Sequence, residues 1–472
     1  MLFNSLEFAL FFVFVTTLYF LIPHKLRWLL LLASSCFFYM AFVPVYIFIL
    51  FFTIIIDYFA GIFIENANSK HKKFFLTASI IANVGVLAVF KYYNFFVENV
   101  NVVFHHLQTP MQLKYLSILL PIGLSFHTFQ AMSYTIEVYR GKQKAEKHFG
   151  IYALYVMFYP QLVAGPIERP QNILHQFYEK HEFDYENFRI GLMMMLYGFF
   201  KKVVIADSCA VLANAVFSNP TQYGGWCNLL GIFCFTIQIY GDFSGYSDIA
   251  LGAAKVMGFS LMKNFDTPYF SKSISEFWSR WHISLSTWFR DYLYIPLGGN
   301  RVSTKRWYFN LLFVFIVSGL WHGANWTFIF WGFLHGVYLI AALLFSKIKK
   351  RDWLKYNAIN MFSTFILVSF AWIFFRANNF KNALAVINGC ATFSKHQIQL
   401  IQYSFFTANQ WWILMLAFAI FVLIEIKISH KFIFQLLQKK PTWLRWSFYF
   451  GMALLIILGG KFTETKFIYF QF

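Results

Sequence analysis

Charge is scarce in this sequence: Asp, Glu, Lys and Arg make up 12% of its 472 residues, about half the share of an ordinary soluble domain. A chain so poor in charge cannot coat itself with hydrated surface, which excludes a soluble globule. Disorder is excluded as well, because 59% of the residues are hydrophobic and 22% aromatic, far too much apolar surface to stay unpacked. Cysteine is sparse. Cys36, Cys209, Cys227, Cys234 and Cys390 are scattered, with no CxxC pair and no histidine at zinc-ligand spacing, so neither a disulfide framework nor a metal site is expected. Gly/Ser linkers, low-complexity tracts and visible internal repeats are absent too, and residues 1–472 read as a single membrane domain.

What is present is apolar and aromatic. The 64 Phe, 27 Tyr and 15 Trp supply lipid-facing bulk and rings that settle at headgroup level. Apolar blocks begin near Leu6, Trp28, Val45, Phe75, Leu116, Gly150, Ile190, Cys227, Trp307, Trp326, Asn357, Trp411 and Trp446. At roughly 20 residues per crossing they predict an all-α polytopic protein of about eleven to thirteen membrane helices. The first block carries Glu7 and lacks the basic start and small-residue cleavage site of a secretory signal, so it is expected to remain as a span. Lys and Arg, 39 against 20 acidic residues, gather in the breaks: Lys25 and Arg27, Lys70 to Lys73, Arg140 to Lys147, Lys347 to Lys355, Lys427 to Arg445. That is the positive-inside pattern, with the N-terminus outside. No stripe alternates basic with stacking aromatic residues, so nucleic acid is not an expected partner. Lys201 and Lys202 interrupt a block that would otherwise span, as a helix end or as a buried functional pair.

Residues 263 to 306 break the alternation of spans and short loops with a dense polar and aromatic mixture. From Phe277 they read FWSRWHISLSTWFRDYLYIPLGGNR. On a helical wheel Phe277, Trp278, Trp281, Leu285, Trp288, Phe289 and Tyr292 share one face, predicting an amphipathic helix that lies at an interface or re-enters the protein. His282 sits at the edge of that stripe, with Ser279, Ser286 and Arg290 on the polar side. Pro296 and Gly298-Gly299 end the helix.

A second histidine, His322, stands in SGLWHGANW inside a nearly continuous apolar stretch, where a polar ring is costly unless something uses it. Gly319, Gly323 and Ala324 are expected to leave volume beside the ring, and Ser318 or Asn325 to fix its tautomer. A neutral imidazole in a low-dielectric cavity can take the proton from a hydroxyl as that hydroxyl attacks an acyl carbonyl. A Ser-His-Asp hydrolase is disfavoured, since no GxSxG elbow follows a strand and no strand periodicity exists.

The motifs PIGLSFHTFQAMSYTIEVYRGK from Pro121, YPQLVAGPIERP from Tyr159, GDFSGYSDIALG from Gly241, the FWSRWHISLS stretch, SGLWHGANW and KFIYFQF from Lys466 together resemble the membrane-bound O-acyltransferase superfamily. The likeness is to its bacterial branch of alginate O-acetylation, peptidoglycan O-acetylation and teichoic acid D-alanylation membrane proteins. The resemblance implies a helical funnel in the bacterial inner membrane, with His322 essential and His282 as its upstream companion. It also implies an acyl thioester donor such as acetyl-CoA from the cytoplasm, with no tightly bound cofactor. The acceptor would be an extracytoplasmic polysaccharide, served by a separate acyltransferase or carrier protein outside the membrane.

Other residues have two readings. Asp242 and Asp248, six apart, fit buried hydrogen-bond partners better than an acid and base pair, although Asp242 is also a candidate for substrate contact. Arg280, Arg290 and Arg301 suit donor phosphates and interfacial anchoring equally. Ser286 and Asn325 are further donor-site candidates, His127 and His335 read as packing residues, and GPIE from Gly165 reads as a helix end. The competing functions are a transporter or flippase, whose charges should fall in discontinuous helices of two related halves, and a lipid- or protein-acylating relative.

Overall fold

Hydrocarbon offers the backbone no hydrogen bonds, so a chain of this composition must satisfy its peptide groups internally. Helices do so here, with no strand among the described residues. The computed structural model describes every residue except 118–120, 164, 349–356, 428–436, 438, 439, 463–466 and 469–472. The basic break at Lys349, Lys350, Arg351 and Lys355 and most of the KFIYFQF motif therefore lie outside the described residues.

The protein is an all-α, multi-pass membrane protein. Among the described residues six helical stretches are long and apolar enough to cross a membrane: Pro44–Asn66, Ser69–His106, Trp326–Phe345, Asn357–Arg376, Ala408–Ile426 and Thr442–Gly459. That is fewer than the eleven to thirteen expected, because some blocks form shorter helices and others, such as Gly225–Val256 and Thr304–His322, are long enough but less apolar. Leu6–Leu21 has 16 residues, and the block near Gly150 breaks around Phe158 into Phe149–Met157 and Tyr159–Leu162.

The described residues form two compact units. The first comprises 1–192 and 250–262. Its aromatic core includes Phe8, Phe38 and Tyr159, and its polar groups are paired inside. Asp57 accepts from Ser79 Oγ at 2.6 Å and from Asn83 Nδ2 at 2.9 and 3.0 Å. The GPIE stretch is the expected turn, where a Cβ on Gly165 would lie 2.3 Å from Gln161 Cα. Glu168 is buried there, taking the Met262 N–H and the Asn172 amide. His127 is buried in the Leu124–Tyr139 helix.

The second unit comprises 193–249 and 263–472. Lys201 and Lys202 do not end a helix here. They lie in a π-helical segment, Phe200–Ala206, all of whose residues are buried. Lys201 meets Asp248 at 2.6 Å, and Lys202 meets Asp242 at 2.7 Å and Asp207 at 2.8 Å. Both aspartates of GDFSGYSDIA are thus ion-pair partners. Nearby, Glu425 accepts Tyr197 Oη at 3.0 Å and Tyr240 Oη at 2.6 Å. The helices Thr304–His322 and Trp326–Ile348 pack as an antiparallel pair, and their glycines set the separation. A Cβ on Gly319 would lie 2.2 Å from Phe328 O, and one on Gly332 2.1 Å from Phe315 O, so only glycine admits this approach.

Removing one member of a buried ion cluster strands the others in a low-dielectric interior, at a cost of about 3–5 kcal/mol. We expect Lys202→Met to lower the unfolding midpoint in detergent sharply, and added Asp207→Asn and Asp242→Asn to restore much of it. A midpoint unchanged by Lys202→Met would show that the cluster is not stabilising.

Candidate active site

The FWSRWHISLS stretch is not one helix. The expected amphipathic helix is replaced by two short ones, Ile274–Arg280 and Ile283–Phe289, followed by a π turn at Arg290–Tyr294. The break falls at Trp281 and His282, where His282 takes φ +43, a left-handed conformation that a non-glycine residue adopts at some cost. Neither residue lies on a lipid-facing stripe: Trp281 is 1% and His282 0% exposed.

The break is held by Asn264. Its backbone carbonyl accepts the Ile283 N–H at 2.8 Å. Its Oδ1 accepts the Ser284 N–H at 3.3 Å and Ser284 Oγ at 2.8 Å, and stands 3.0 Å from His282 Nδ1. An oxygen that already accepts a backbone N–H can only accept from the ring, so Nδ1 carries the proton and Nε2 the lone pair. Phe243, the neighbour of Asp242 in sequence, packs edge-on against the same ring at 4.7 Å.

His322 terminates the Thr304–His322 helix and is 4% exposed. Its ring centroid lies 4.9 Å from Trp321, 5.1 Å from Trp331 and 5.3 Å from Phe375. Trp321 also packs against His282 at 6.3 Å. The two histidines, 40 residues apart in sequence, thus share one indole. The glycines do not leave open volume beside His322, contrary to expectation: a Cβ on Gly323 would lie 2.2 Å from Phe328 Cε2, so they admit close packing instead.

Space opens one helical turn away. A cavity of about 400 Å³ is lined by residues that include Trp278, Ser286, Arg290, Tyr294 and Ser318, and Ser318 lies four residues before His322, on the same face of the helix. The buried end is formed by Leu285, Val314 and Ser318, and exposed Ser275, Ser279 and Arg290 form the mouth. Arg290 pairs with Asp291 at 2.8 Å and keeps 59% of its side chain exposed.

The remaining candidates are placed as follows. Ser286 lines the cavity, its hydroxyl donating to Trp281 O at 3.1 Å. Arg280 is held by Glu276 at 2.6 Å and Thr267 Oγ1 at 3.3 Å and does not line the cavity. Asn325 caps the Trp326–Ile348 helix, its Oδ1 accepting Thr327 N–H at 3.0 Å and its Nδ2 donating to Asn378 O at 2.9 Å. Asp242 is engaged by Lys202 and by the Ile468 N–H at 2.7 Å. No cluster of three or more His, Cys, Asp or Glu suited to a metal exists among the described residues. Asn264, Trp321 and the His335–Trp278 pairing escaped the sequence reading. Only the WH dipeptide, which places Trp321 beside His322, carried a signal.

Residues 148–380 match the model of the MBOAT, membrane-bound O-acyltransferase, family. The chain is 40% identical over 410 residues to the probable alginate O-acetylase AlgI of Pseudomonas aeruginosa, covering 85% of this chain and 77% of that protein. It is 37% identical over 394 residues to the peptidoglycan O-acetyltransferase of Helicobacter pylori, covering 77% and 73%. To the teichoic acid D-alanyltransferase of Bacillus subtilis it is 28% identical over 279 residues, covering 55% and 70%.

If Asn264 sets the His282 tautomer, both residues carry a measurable share of turnover. We expect His282→Gln to lower acyl transfer about 10²-fold and Asn264→Leu about tenfold, the range of a lost proton-handling or orienting group, with protein abundance near normal. Unaltered turnover in both variants would return His282 to a packing role.

Proposed function

The chain belongs to the membrane-bound O-acyltransferase family and is an acyltransferase, and from that premise we propose that it moves an acetyl group from a cytoplasmic thioester to a hydroxyl outside the membrane, with His322 as general base. The acceptor is an extracytoplasmic polysaccharide or a partner carrier protein, and the membrane is the bacterial inner membrane. One observation carries the reading. Two buried histidines from separate segments meet on Trp321, one helical turn from a cavity whose mouth carries the Arg290–Asp291 pair and whose buried end is formed by Leu285, Val314 and Ser318.

The chemistry follows from those positions. The His322 imidazole takes the hydroxyl proton as the oxygen bonds to the thioester carbonyl. The tetrahedral intermediate then expels the thiolate, which recovers that proton. Positive charge develops on a ring at the carbonyl end of the Thr304–His322 helix, where the helix dipole favours it. His282, its Nδ1 proton committed to Asn264, presents Nε2 as an acceptor that orients the acceptor hydroxyl or the ring beside it. Arg290, half-free at the mouth, suits the phosphates of a donor.

The cavity also bears on which acyl group is carried. Arg290 is the charged residue among those lining it, and its carboxylate partner Asp291, at 2.8 Å, stands behind the wall. Asp291 is already engaged by Arg290, so the ammonium of a D-alanyl group would have to compete for it, whereas acetyl needs no counter-charge. The relatives at 37% and 40% identity are named for O-acetylation.

We expect His322→Ala to abolish esterification of the envelope polysaccharide while the protein remains at normal abundance, since one imidazole lost from a large bundle does not unfold it. Retained ester content would defeat the assignment and favour a transporter. Between its apolar blocks the chain has only short polar stretches, too small for independent polymer-binding cores. We therefore expect the purified chain in liposomes, given radiolabelled acetyl-CoA, to label small acceptors slowly and intact polysaccharide only once an extracytoplasmic partner is added. Efficient labelling of polymer by the chain alone would rule out a required partner.

A further inference from the structure

His335 is a third buried histidine of the second unit. It is 0% exposed on the Trp326–Ile348 helix. Its surroundings are rings: Trp278 and Trp331, each at 5.0 Å, Tyr338 at 5.8 Å, and Phe277 and Phe315, each at 6.3 Å. Its polar contact is specific. Trp278 donates its indole N–H to His335 Nδ1 at 3.2 Å. A neutral imidazole that accepts at Nδ1 carries its proton on Nε2, and that buried nitrogen finds no hydrogen-bond partner among the described residues. A phenyl ring would fill the same aromatic niche with no ring N–H of its own to satisfy, but it would strand the Trp278 indole N–H instead. What histidine supplies and phenyl does not is an acceptor for Trp278.

Trp278 is the ring whose placement matters, because it lines the 400 Å³ cavity. On its other side it packs against Trp331 at 5.8 Å, and Trp331 packs against His322 at 5.1 Å. His335 touches both indoles, the one that walls the cavity and the one that abuts His322. We propose that His335 is a positioning residue which, by accepting the Trp278 indole N–H, fixes that ring as a wall of the cavity and so limits the length of acyl group the enzyme takes. The inference rests on the reading of the cavity as the acyl site. An indole freed from its acceptor swings on its two side-chain torsions and admits further methylenes, each worth about tenfold or more in discrimination within an apolar pocket.

The test uses the full chain in liposomes with a small hydroxyl acceptor, comparing acetyl-, propionyl- and butyryl-CoA. The wild type should favour acetyl. His335→Phe, which removes the acceptor and keeps the packing, should raise the butyryl-to-acetyl ratio about tenfold, a discrimination equal to roughly one methylene. Trp278→Phe should raise it too, and the double variant should add little, as expected of two residues acting through one hydrogen bond. His335→Gln, whose carbonyl can accept the indole N–H, should restore acetyl preference. An unchanged ratio in His335→Phe with acetyl turnover intact overturns the proposal and leaves His335 a core residue. Should His335→Phe fail to accumulate, Trp278→Phe carries the same two outcomes. A wild type inert toward all three thioesters overturns the donor assignment and this inference with it, whereas unchanged selectivity overturns this inference alone.

Discussion

Two lysine ammonium groups sit in an interior that water does not reach, and the unit around the histidines is organised by that constraint. Lys202 is paired with Asp242 at 2.7 Å, which fixes the rotation of the Gly225–Val256 helix. That rotation in turn sends the next residue, Phe243, edge-on against His282. Lys201 does the same with Asp248, six residues further along the same helix. Both adjacent lysines meet protein rather than lipid because every residue of the π turn at Phe200–Ala206 is buried. Buried ion pairs add little net stability compared with well-packed apolar side chains. Their value here is geometric, because each fixes one helix against another.

The histidines depend on that frame in different ways. His322 is placed by a helix end, with close helix packing through Gly319 and Gly332 holding its neighbours. His282 is placed by a break, held in an unfavourable backbone conformation by four contacts to a single asparagine. A residue held in strain by its surroundings is over-determined, and such positions concentrate where chemistry needs a fixed geometry. Trp321 joins the two. Its indole is too large to move without disturbing both rings, so neither histidine is set independently of the other.

Much of this was legible in the residues. His322 stands out because an imidazole in an apolar block is expensive, and the two aspartates of GDFSGYSDIA read as buried partners because a spacing of six is not the i, i+4 of one helix face. Other features did not read. The apolar stripe from Phe277 to Tyr292 fits an unbroken helix, and the positive φ at His282 has no mark in the sequence such as a glycine or proline. Glycines around His322 suggest open volume in the sequence, but the same residue type serves an opposite purpose when a second helix lies against it. Asn264 gave no signal at all, since its role depends on a contact 18 residues away across that break.

By itself the sequence determined the solvent and the backbone: too little charge for a water-facing surface, enough apolar length to cross a bilayer, and therefore helices, because hydrocarbon leaves peptide groups no other partner. It also determined which side chains were too costly to be idle. Tertiary structure alone decided which of these met one another. Lys201 and Lys202 found three aspartates, His282 and His322 found one tryptophan, and His335 found the indole that walls the cavity. Composition and periodicity act over a few residues along one helix. Contacts between helices are set by where each helix breaks and how closely its neighbour can approach, and both are fixed only when the chain packs.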